Sequence, residues 1–523
     1  MSDISFYGGV DEIGGNKIKL DMDSTSLLLD FGMSFKQYGK FFSEFINPRK
    51  ANGIGDFIEL GLIPDVKGIY RSDFLGHMGI PQEEKPAVDG LLLSHAHADH
   101  ADYISHLRSD IPIYMTRNSK IILQVIDETG LNSGFKDIYQ YKTQFTYVPK
   151  KTGSGFKKLT GDEAKHPRDI RILEPYDVQA IGDLNVQLAP VDHSLPGAAG
   201  FLIEGSQENV VYTGDLRFHG RNRDLTRDFV KHARRFSPNV MICEGTRINS
   251  EEHRKEFDDE GNRIEYLELE EDIEERVYNL IGDFKGLVIA NFPLRDLDRL
   301  ITFHNIAKET DRTLLVSTKQ AYMLKLIEEE NEEKTIYPSI HDENIGIYIR
   351  RKGDGLVSSL RNGDGHSSDF YVSKDNNWVN ADEDIYIKEY EKWEREFLDY
   401  DNAYTYRDIQ DNESGFIIRL DNFSFMELID IKPENAIYLH STTEPFNEEM
   451  EMNYEITENW LNHFDIPIYN HFHVSGHAKG PELLEMVREI HPDVLYPVHT
   501  EHAELYDVLK DDGIKVIHPS LSK

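Results

Sequence analysis

Residues 91–100 read Leu-Leu-Leu-Ser-His-Ala-His-Ala-Asp-His. The apolar run reads as a short buried strand, and the polar run after it as a loop carrying ligand-type side chains. In an extended stretch alternate side chains share a face, so His95 and His97 point to one place. The chain then turns and sends Asp99 and His100 to a neighbouring place. Three imidazoles and a carboxylate are nitrogen and oxygen donors suited to zinc, or to manganese or iron. A solvated His-rich turn before a helix is the plainer account. It does not explain four donor residues within the six positions from His95 to His100, entered straight from a strand.

The pattern His95-x-His97-x-Asp99-His100 resembles the metallo-β-lactamase superfamily. Members of that superfamily with a redox di-iron centre usually carry Glu where this chain has His97. The resemblance therefore implies hydrolysis.

At 523 residues the chain is too long for one ordinary core, and two domains, one inserted in the other, are expected. The single cysteine, Cys243, allows no internal disulfide and fits a reducing cytoplasm. Met1-Ser2-Asp3-Ile4-Ser5 shows no basic region followed by an apolar one, and no apolar run nears the ~20 residues that span a bilayer. A cytoplasmic protein with no membrane partner is the expectation. The net charge of -37 opposes general adhesion to polyanions but leaves room for a local basic groove.

Residues 4–30 read as a β-hairpin, with Lys17 to Met22 and Ser26 to Asp30 as strands behind a Gly-rich loop. The glycines serve either as turn residues or as a close backbone approach. Asp30 either orients a metal-bound histidine or caps a turn. Residues 35–90 are irregular and aromatic, a loop-rich insertion. Ala101 to Arg108 and Asn118 to Glu128 read as helices, with a strand from Ile111 to Met115 between them. Two later strands end at Asp192-His193-Ser194 and Gly214-Asp215, where His193 offers an imidazole to one ion and Asp215 a carboxylate able to bridge two. Leu216 to Phe236 is conspicuously basic, reading as a track for a phosphodiester or as a solvated helix face.

From Val240 the pattern becomes βαβ, with helices at Glu270 to Ile281 and Asp296 to Thr310, and strands at Leu287 to Asn291 and Thr313 to Ser317. That implies a second, parallel-sheet domain without a Gly-rich nucleotide loop. Tyr348 to Lys352 reads as a strand and exposed turn. Tyr386, Tyr390, Trp393 and Phe397 fall at helical spacing and read as core rather than a base-stacking platform. Near the end, Ala436 to His440, Ile468 to Val474 and Val494 to Val498 read as strands and Pro481 to Ile490 as a helix. His477 and His499 would then lie side by side at the carboxyl ends of consecutive strands.

Together these stretches resemble the β-CASP branch of the metallo-β-lactamase superfamily, and within it the ribonuclease J family. The resemblance rests on Gly8-Gly-Val-Asp-Glu-Ile-Gly-Gly-Asn16, Asp30-Phe-Gly32, the His95 motif, Asp192-His193-Ser194 and Tyr212-Thr-Gly-Asp215. It continues through Glu244-Gly-Thr246, His473-Val-Ser-Gly-His477 and Pro497-Val-His499, in family order. The fold so implied is an α/β, αββα sandwich with an inserted parallel-sheet domain: residues 1–245 and 466–523 form the metallo-β-lactamase domain, and 246–465 the β-CASP domain. The resemblance puts His95, His97 and His193 on one divalent ion, Asp99, His100 and His499 on the other, and Asp215 between them. Zinc is the expected metal, with manganese as the alternative. Glu244, His477 and His499 match the three β-CASP motifs, and a histidine at the third is usual in RNA-processing members, where DNA-repair members often have valine. Pro293-Leu294 replaces the family's usual Ser-Asn, and the insertions at 35–90 and 335–430 depart from its familiar pattern.

The implied activity is hydrolysis of phosphodiester bonds in single-stranded RNA, from the 5′ end or internally. Asp99 would accept a proton from the attacking water. His477, oriented by Glu244, would contact the phosphate and protonate the leaving 3′ oxygen. Ser475 and Ser441 would donate to the nucleic acid backbone. A DNA nuclease, a small-molecule ester or thioester hydrolase and a non-catalytic scaffold are the competing readings, and a homo-oligomer is left open.

Overall fold

The computed structural model describes residues 2–43, 45–130, 137–145, 147–158, 165–249, 269–331, 336–352, 370–372, 378–380, 387–443 and 448–522. The chain forms two compact units, Met1–Ile264 with Gly476–Lys523, and Glu265–Ser475.

The first unit is built on two sheets. One has six strands in the order Asp3–Gly8, Lys17–Met22, Thr25–Phe31, Gly90–Leu92, Ile113–Met115, Ile170–Ile172. The other has seven, in the order Val178–Ile181, Leu184–Pro190, Ala199–Glu204, Asn209–Tyr212, Val240–Glu244, Val494–Val498, Lys515–Val516. Alternation decides which face goes inside. In Lys17-Ile-Lys-Leu-Asp-Met22, Ile18, Leu20 and Met22 are buried, while Lys19 and Asp21 face outward and pair at 2.6 Å. The buried set shares a core with Val186, Leu188, Phe201, Ile203, Val210 and Ile242 of the second sheet. The outer face of that sheet, with Val211, Met241 and Leu495, is covered through Phe229 and Val230 of helix Arg223–Phe236 and Leu483 and Val487 of helix Gly480–Ile490. Helix Arg117–Thr129 buries Ile121, Ile122 and Val125 and packs beside strand Ile170–Ile172. Each such side chain taken from water contributes about 1.5–3 kcal/mol before chain entropy is counted. The result is the expected helix, sheet, sheet, helix sandwich.

Strand Gly90–Leu92 has a parallel neighbour on each side, so its carboxyl end opens in the middle of the first sheet, where His95 begins. In the second sheet, Asn209–Tyr212, Val240–Glu244 and Val494–Val498 run parallel and end at the residues leading to Asp215, at Glu244 and before His499. Shared strand direction thus gathers the chemistry at one end of that sheet.

The second unit carries a seven-stranded sheet, parallel throughout, in the order Ala403–Tyr404, Ile345–Tyr348, Thr313–Ser317, Phe416–Arg419, Leu287–Asn291, Ala436–His440, Ile468–Tyr469. Helices Glu270–Ile281, Leu297–Glu309 and Thr318–Glu330 belong to it. Because Ile468 and Tyr469 pair with Tyr438 and Leu439, the chain is still in this unit at residues expected to lie beyond it, and returns to the first at Gly476.

Other expectations are also corrected. The helix expected over 101–108 starts at Ala98 and ends at His106 as a tighter turn, because Arg71 N donates to His106 O and Arg108 N to Ile69 O, taking backbone groups a helix would use. The strand expected over 468–474 stops at Tyr469. Tyr390 and Phe397 are buried as expected, yet they belong to turns and the short helix Arg395–Asp399 rather than one long helix, and Tyr386 lies outside the described residues. In the 35–90 insertion Tyr70 and Phe74 are buried, whereas Phe45 is 91% exposed. Among the described residues no helix is long and apolar enough to cross a membrane.

Candidate metal centre

All seven donors read from the sequence come together in the first unit. Nε2 of His95 lies 2.9 Å from Nδ1 of His97, and Nε2 of His193 lies 3.1 Å from that same nitrogen. Nδ1 of His193 faces the carbonyl of Gly476, which can only accept, so Nδ1 carries the hydrogen and Nε2 presents a lone pair. Burial first, and then His100 and His477 respectively, push His95 and His193 well below the usual imidazole range. Neutral imidazole is the form that binds a cation.

A second group faces the first. Nε2 of His499 is 3.1 Å from Oδ2 of Asp99, and Nε2 of His100 is 3.2 Å from Oδ2 of Asp215. The same Asp215 oxygen lies 3.7 Å from His499 and 3.6 Å from His95, and so touches both groups. Burial works against the charge on Asp99 and Asp215, but the surrounding histidines hold both carboxyls well below the usual range. Among the described residues Oδ1 of Asp215 is buried and has no hydrogen-bond partner. Buried polar atoms are seldom left so. Two donor sets of this kind, His95 with His97 and His193, and Asp99 with His100, Asp215 and His499, fit divalent cations.

Backbone fit explains the Gly-rich loop. Gly14, at φ 81°, runs so close to Asp99 that a Cβ would stand 2.7 Å from Oδ2, and at Gly32 a Cβ would stand 1.8 Å from the Asp99 carbonyl oxygen. Asn16 N donates to that same carbonyl oxygen. The close-approach reading of the glycines therefore holds, and any side chain there would displace Asp99.

Asp30 orients rather than caps. Its Oδ2 accepts from Nδ1 of His100 at 2.7 Å and from the Ser94 and Tyr212 hydroxyls, and its Oδ1 accepts from Ser94 N. A carboxylate on Nδ1 fixes the tautomer that leaves Nε2 free for a cation. Ser94 Oγ also reaches Nδ1 of His95, and Thr246 Oγ1 lies 2.7 Å from Nδ1 of His499. The roles of Ser94 and Thr246 escaped the sequence reading. Both stand inside quoted motifs, but nothing in their spacing says which ring they meet.

Glu244 receives Leu216 N on Oε1, and its Oε2 lies 3.0 Å from Nδ1 of His477. Burial opposes protonation of His477, but Glu244 and Asp215 outweigh it and lift its pKa to about 9. His477 and His499 do lie side by side, with rings 5.8 Å apart. They arrive differently from the expectation: the strand before His477 belongs to the other sheet system, and His477 enters from the loop ahead of helix Gly480–Ile490.

Ser441 is corrected. It is fully buried in the second unit, where its Oγ donates to Phe472 O and accepts from Arg299, so the hydroxyl is spent inside the fold. Ser475, the last residue of that unit, is half-buried. The basic segment also divides. Arg217 turns inward to a fully buried pair with Asp192, while on the helix Arg227 pairs with Asp224 and Lys231 with Asp228. The helix part fits the solvated-face reading better than a continuous phosphate track.

Comparison with known proteins agrees with this geometry. Residues 70–263 match the model of the β-lactamase superfamily domain, and residues 468–519 that of the Zn-dependent metallo-hydrolase RNA specificity domain. Its similar curated relatives include ribonuclease J proteins. The Helicobacter pylori protein of that name is 22% identical over 251 residues, 47% of this chain and 28% of the relative. Ribonuclease J 2 of Staphylococcus epidermidis is 21% identical over 313 residues, 58% of this chain and 42% of the relative. The chain thus spans well under two thirds of these relatives' lengths. In fold it matches the crystal structure of a protein of unknown function from Enterococcus faecalis, with a TM-score of 0.66 at 21% identity over 100% of this chain and 98% of that one.

Proposed function

We propose that the chain is a metal-dependent ribonuclease that hydrolyses phosphodiester bonds in single-stranded RNA. The observation that carries this is the meeting of seven donors in two groups around Asp215, together with an RNA specificity domain match that includes His477 and His499. In this reading His95, His97 and His193 would hold one ion and Asp99, His100 and His499 the other, with Asp215 within reach of both groups. Zinc suits so many imidazoles, with manganese as the alternative. Bound divalent cations there supply water of lowered pKa and compensate charge on the phosphoryl oxygens.

The chain's own groups do the rest. Asp99 takes the proton of the attacking water. His477, held by Glu244, gives its proton to the leaving 3′ oxygen. Ser475 contacts the RNA backbone, and the second unit, 265–475, is the β-CASP part. The cytoplasm as compartment and self-association belong to the same reading.

The test is purified protein with zinc or manganese on end-labelled RNA bearing a 5′ monophosphate, triphosphate or hydroxyl, beside DNA of the same sequence. Chelator-sensitive cleavage of RNA is expected, and product lengths report exo- or endonucleolytic attack. Cleavage of DNA alone, or of neither, would overturn the proposal.

A further inference from the structure

The two sheets of the first unit are tied together by a buried chain of hydrogen bonds behind the candidate ligands. Asn16 Nδ2 donates to the Tyr212 hydroxyl at 3.0 Å, and that hydroxyl donates to Asp30 Oδ2 at 2.6 Å. The direction is forced: an amide nitrogen only donates, so the tyrosine oxygen accepts from Asn16 and its hydrogen goes to Asp30. Asp30 Oδ2 also receives His100 Nδ1 and Ser94 Oγ, each at 2.7 Å, and Oδ1 receives Ser94 N at 2.7 Å. Ser94 Oγ then lies 3.0 Å from Nδ1 of His95. One carboxylate therefore governs a ring in each donor group.

We propose that Tyr212 is a positioning residue for the metal centre: anchored by Asn16, its hydroxyl sets Asp30, which sets His100 directly and His95 through Ser94. The inference rests on the metal-binding reading above. Two features single Tyr212 out. It stands at the end of strand Asn209–Tyr212 in the second sheet, three residues before Asp215, whereas Asp30 is the last residue but one of strand Thr25–Phe31 of the first. The bond between them registers the sheet leading to the shared carboxylate against the sheet leading to His95 and His100. Asp30 also has a backbone φ of 56°, a left-handed conformation that a non-glycine residue keeps only when its surroundings hold it. Tyr212 and Asp30 are both wholly buried, so no solvent replaces a lost donor. Without the tyrosine hydroxyl, Oδ2 keeps only His100 and Ser94 Oγ, both from the first sheet, and the carboxylate loses the contact that fixes it against the second.

Zinc affinity tests this, measured by competition with a chromogenic chelator on the full chain, wild type first. Wild-type protein that binds no zinc would overturn the metal reading itself. If wild type binds, Tyr212→Phe, which keeps the ring in the core, is expected to bind about tenfold more weakly. Binding equal to wild type would overturn the positioning role. In a double-mutant cycle with Asp30→Asn the two losses should be less than additive, and full additivity would show that Tyr212 does not act through Asp30. Should Tyr212→Phe fail to fold, Asn16→Ser, which removes only the donor to the tyrosine oxygen, carries the same expectation and the same overturning result.

Discussion

Nδ1 of His477 stands 3.0 Å from Oε2 of Glu244, and neither residue is needed to complete the His95, His97 and His193 group or the Asp99, His100, Asp215 and His499 group. His477 also lies within donor reach of His193 and Asp215, so metal content decides between proton handling and metal holding. His477→Ala is expected to lower RNA cleavage by about 10²–10⁴-fold, the range a positioned acid contributes, with metal content retained. Elemental analysis beside single-turnover cleavage checks this, and lost metal would assign His477 to the ligands instead.

Asp215 reaches both donor groups through one oxygen, at 3.2 Å from His100 and 3.6 Å from His95. Asp215→Ala is expected to reduce bound metal and abolish RNA hydrolysis while the far-UV circular dichroism spectrum stays close to wild type. His97→Ala should behave alike, since its Nδ1 is the centre of the three-histidine group. Wild-type-like cleavage by either purified variant would contradict the assignment.

Gly14 has no room for a side chain, its Cβ position being 2.7 Å from Asp99 Oδ2 at φ 81°. Gly14→Ala should cost about 1–3 kcal/mol through backbone strain and also weaken metal binding by moving Asp99. Denaturant unfolding without metal and zinc titration separate the two effects. Unchanged affinity would mean that the loop yields rather than Asp99.

His106 packs against Phe57, Phe74 and Tyr103, with its Nδ1 buried and without a hydrogen-bond partner among the described residues. Burial, with Arg71 and Arg168 nearby, pushes its pKa down to about 3 from 6.5. The unfolded chain binds a proton below about 6.5 that the folded chain refuses, so stability present above that pH is lost as pH falls toward 3. His106→Phe should remove this slope, gaining a few kcal/mol over wild type at the acid end and little at pH 7. Urea unfolding at neutral pH and across that window reads it, and parallel pH curves would count against the argument.

Arg299 and Glu270 form a fully buried pair in the second unit, with Nε and Nη2 each 3.0 Å from a carboxylate oxygen, and Nη1 donates to the carbonyls of Ser441 and Phe472. Removing one partner leaves a buried charge alone, so Arg299→Met should cost about 3–5 kcal/mol, and adding Glu270→Gln should recover part of it. Thermal unfolding of the single and double variants decides, with no recovery as the contrary result.

Local pattern alone carried a good part of this protein. Helix Glu270–Ile281 and strands Leu287–Asn291, Thr313–Ser317, Ala436–His440 and Val494–Val498 stand where spacing puts them, because the periods of 3.6 and 2 are properties of neighbouring residues. The seven donors were legible for a related reason: each follows a strand end, with Asp99 and His100 on the helical turn that begins at Ala98, and shared strand direction brings such ends together. Only the tertiary structure decided which hydrogen bonds hold them. Asn16, Asp30, Ser94 and Tyr212 are far apart in the chain and carry no common spacing, so their convergence depends on how two sheets pack. The same holds for Ser441, a polar residue after a strand that reads as exposed until Arg299, 142 positions away, is seen to enclose it. Where a residue's partners are chosen by packing between sheets or layers, sequence distance holds no information about them, and the fold alone assigns its work.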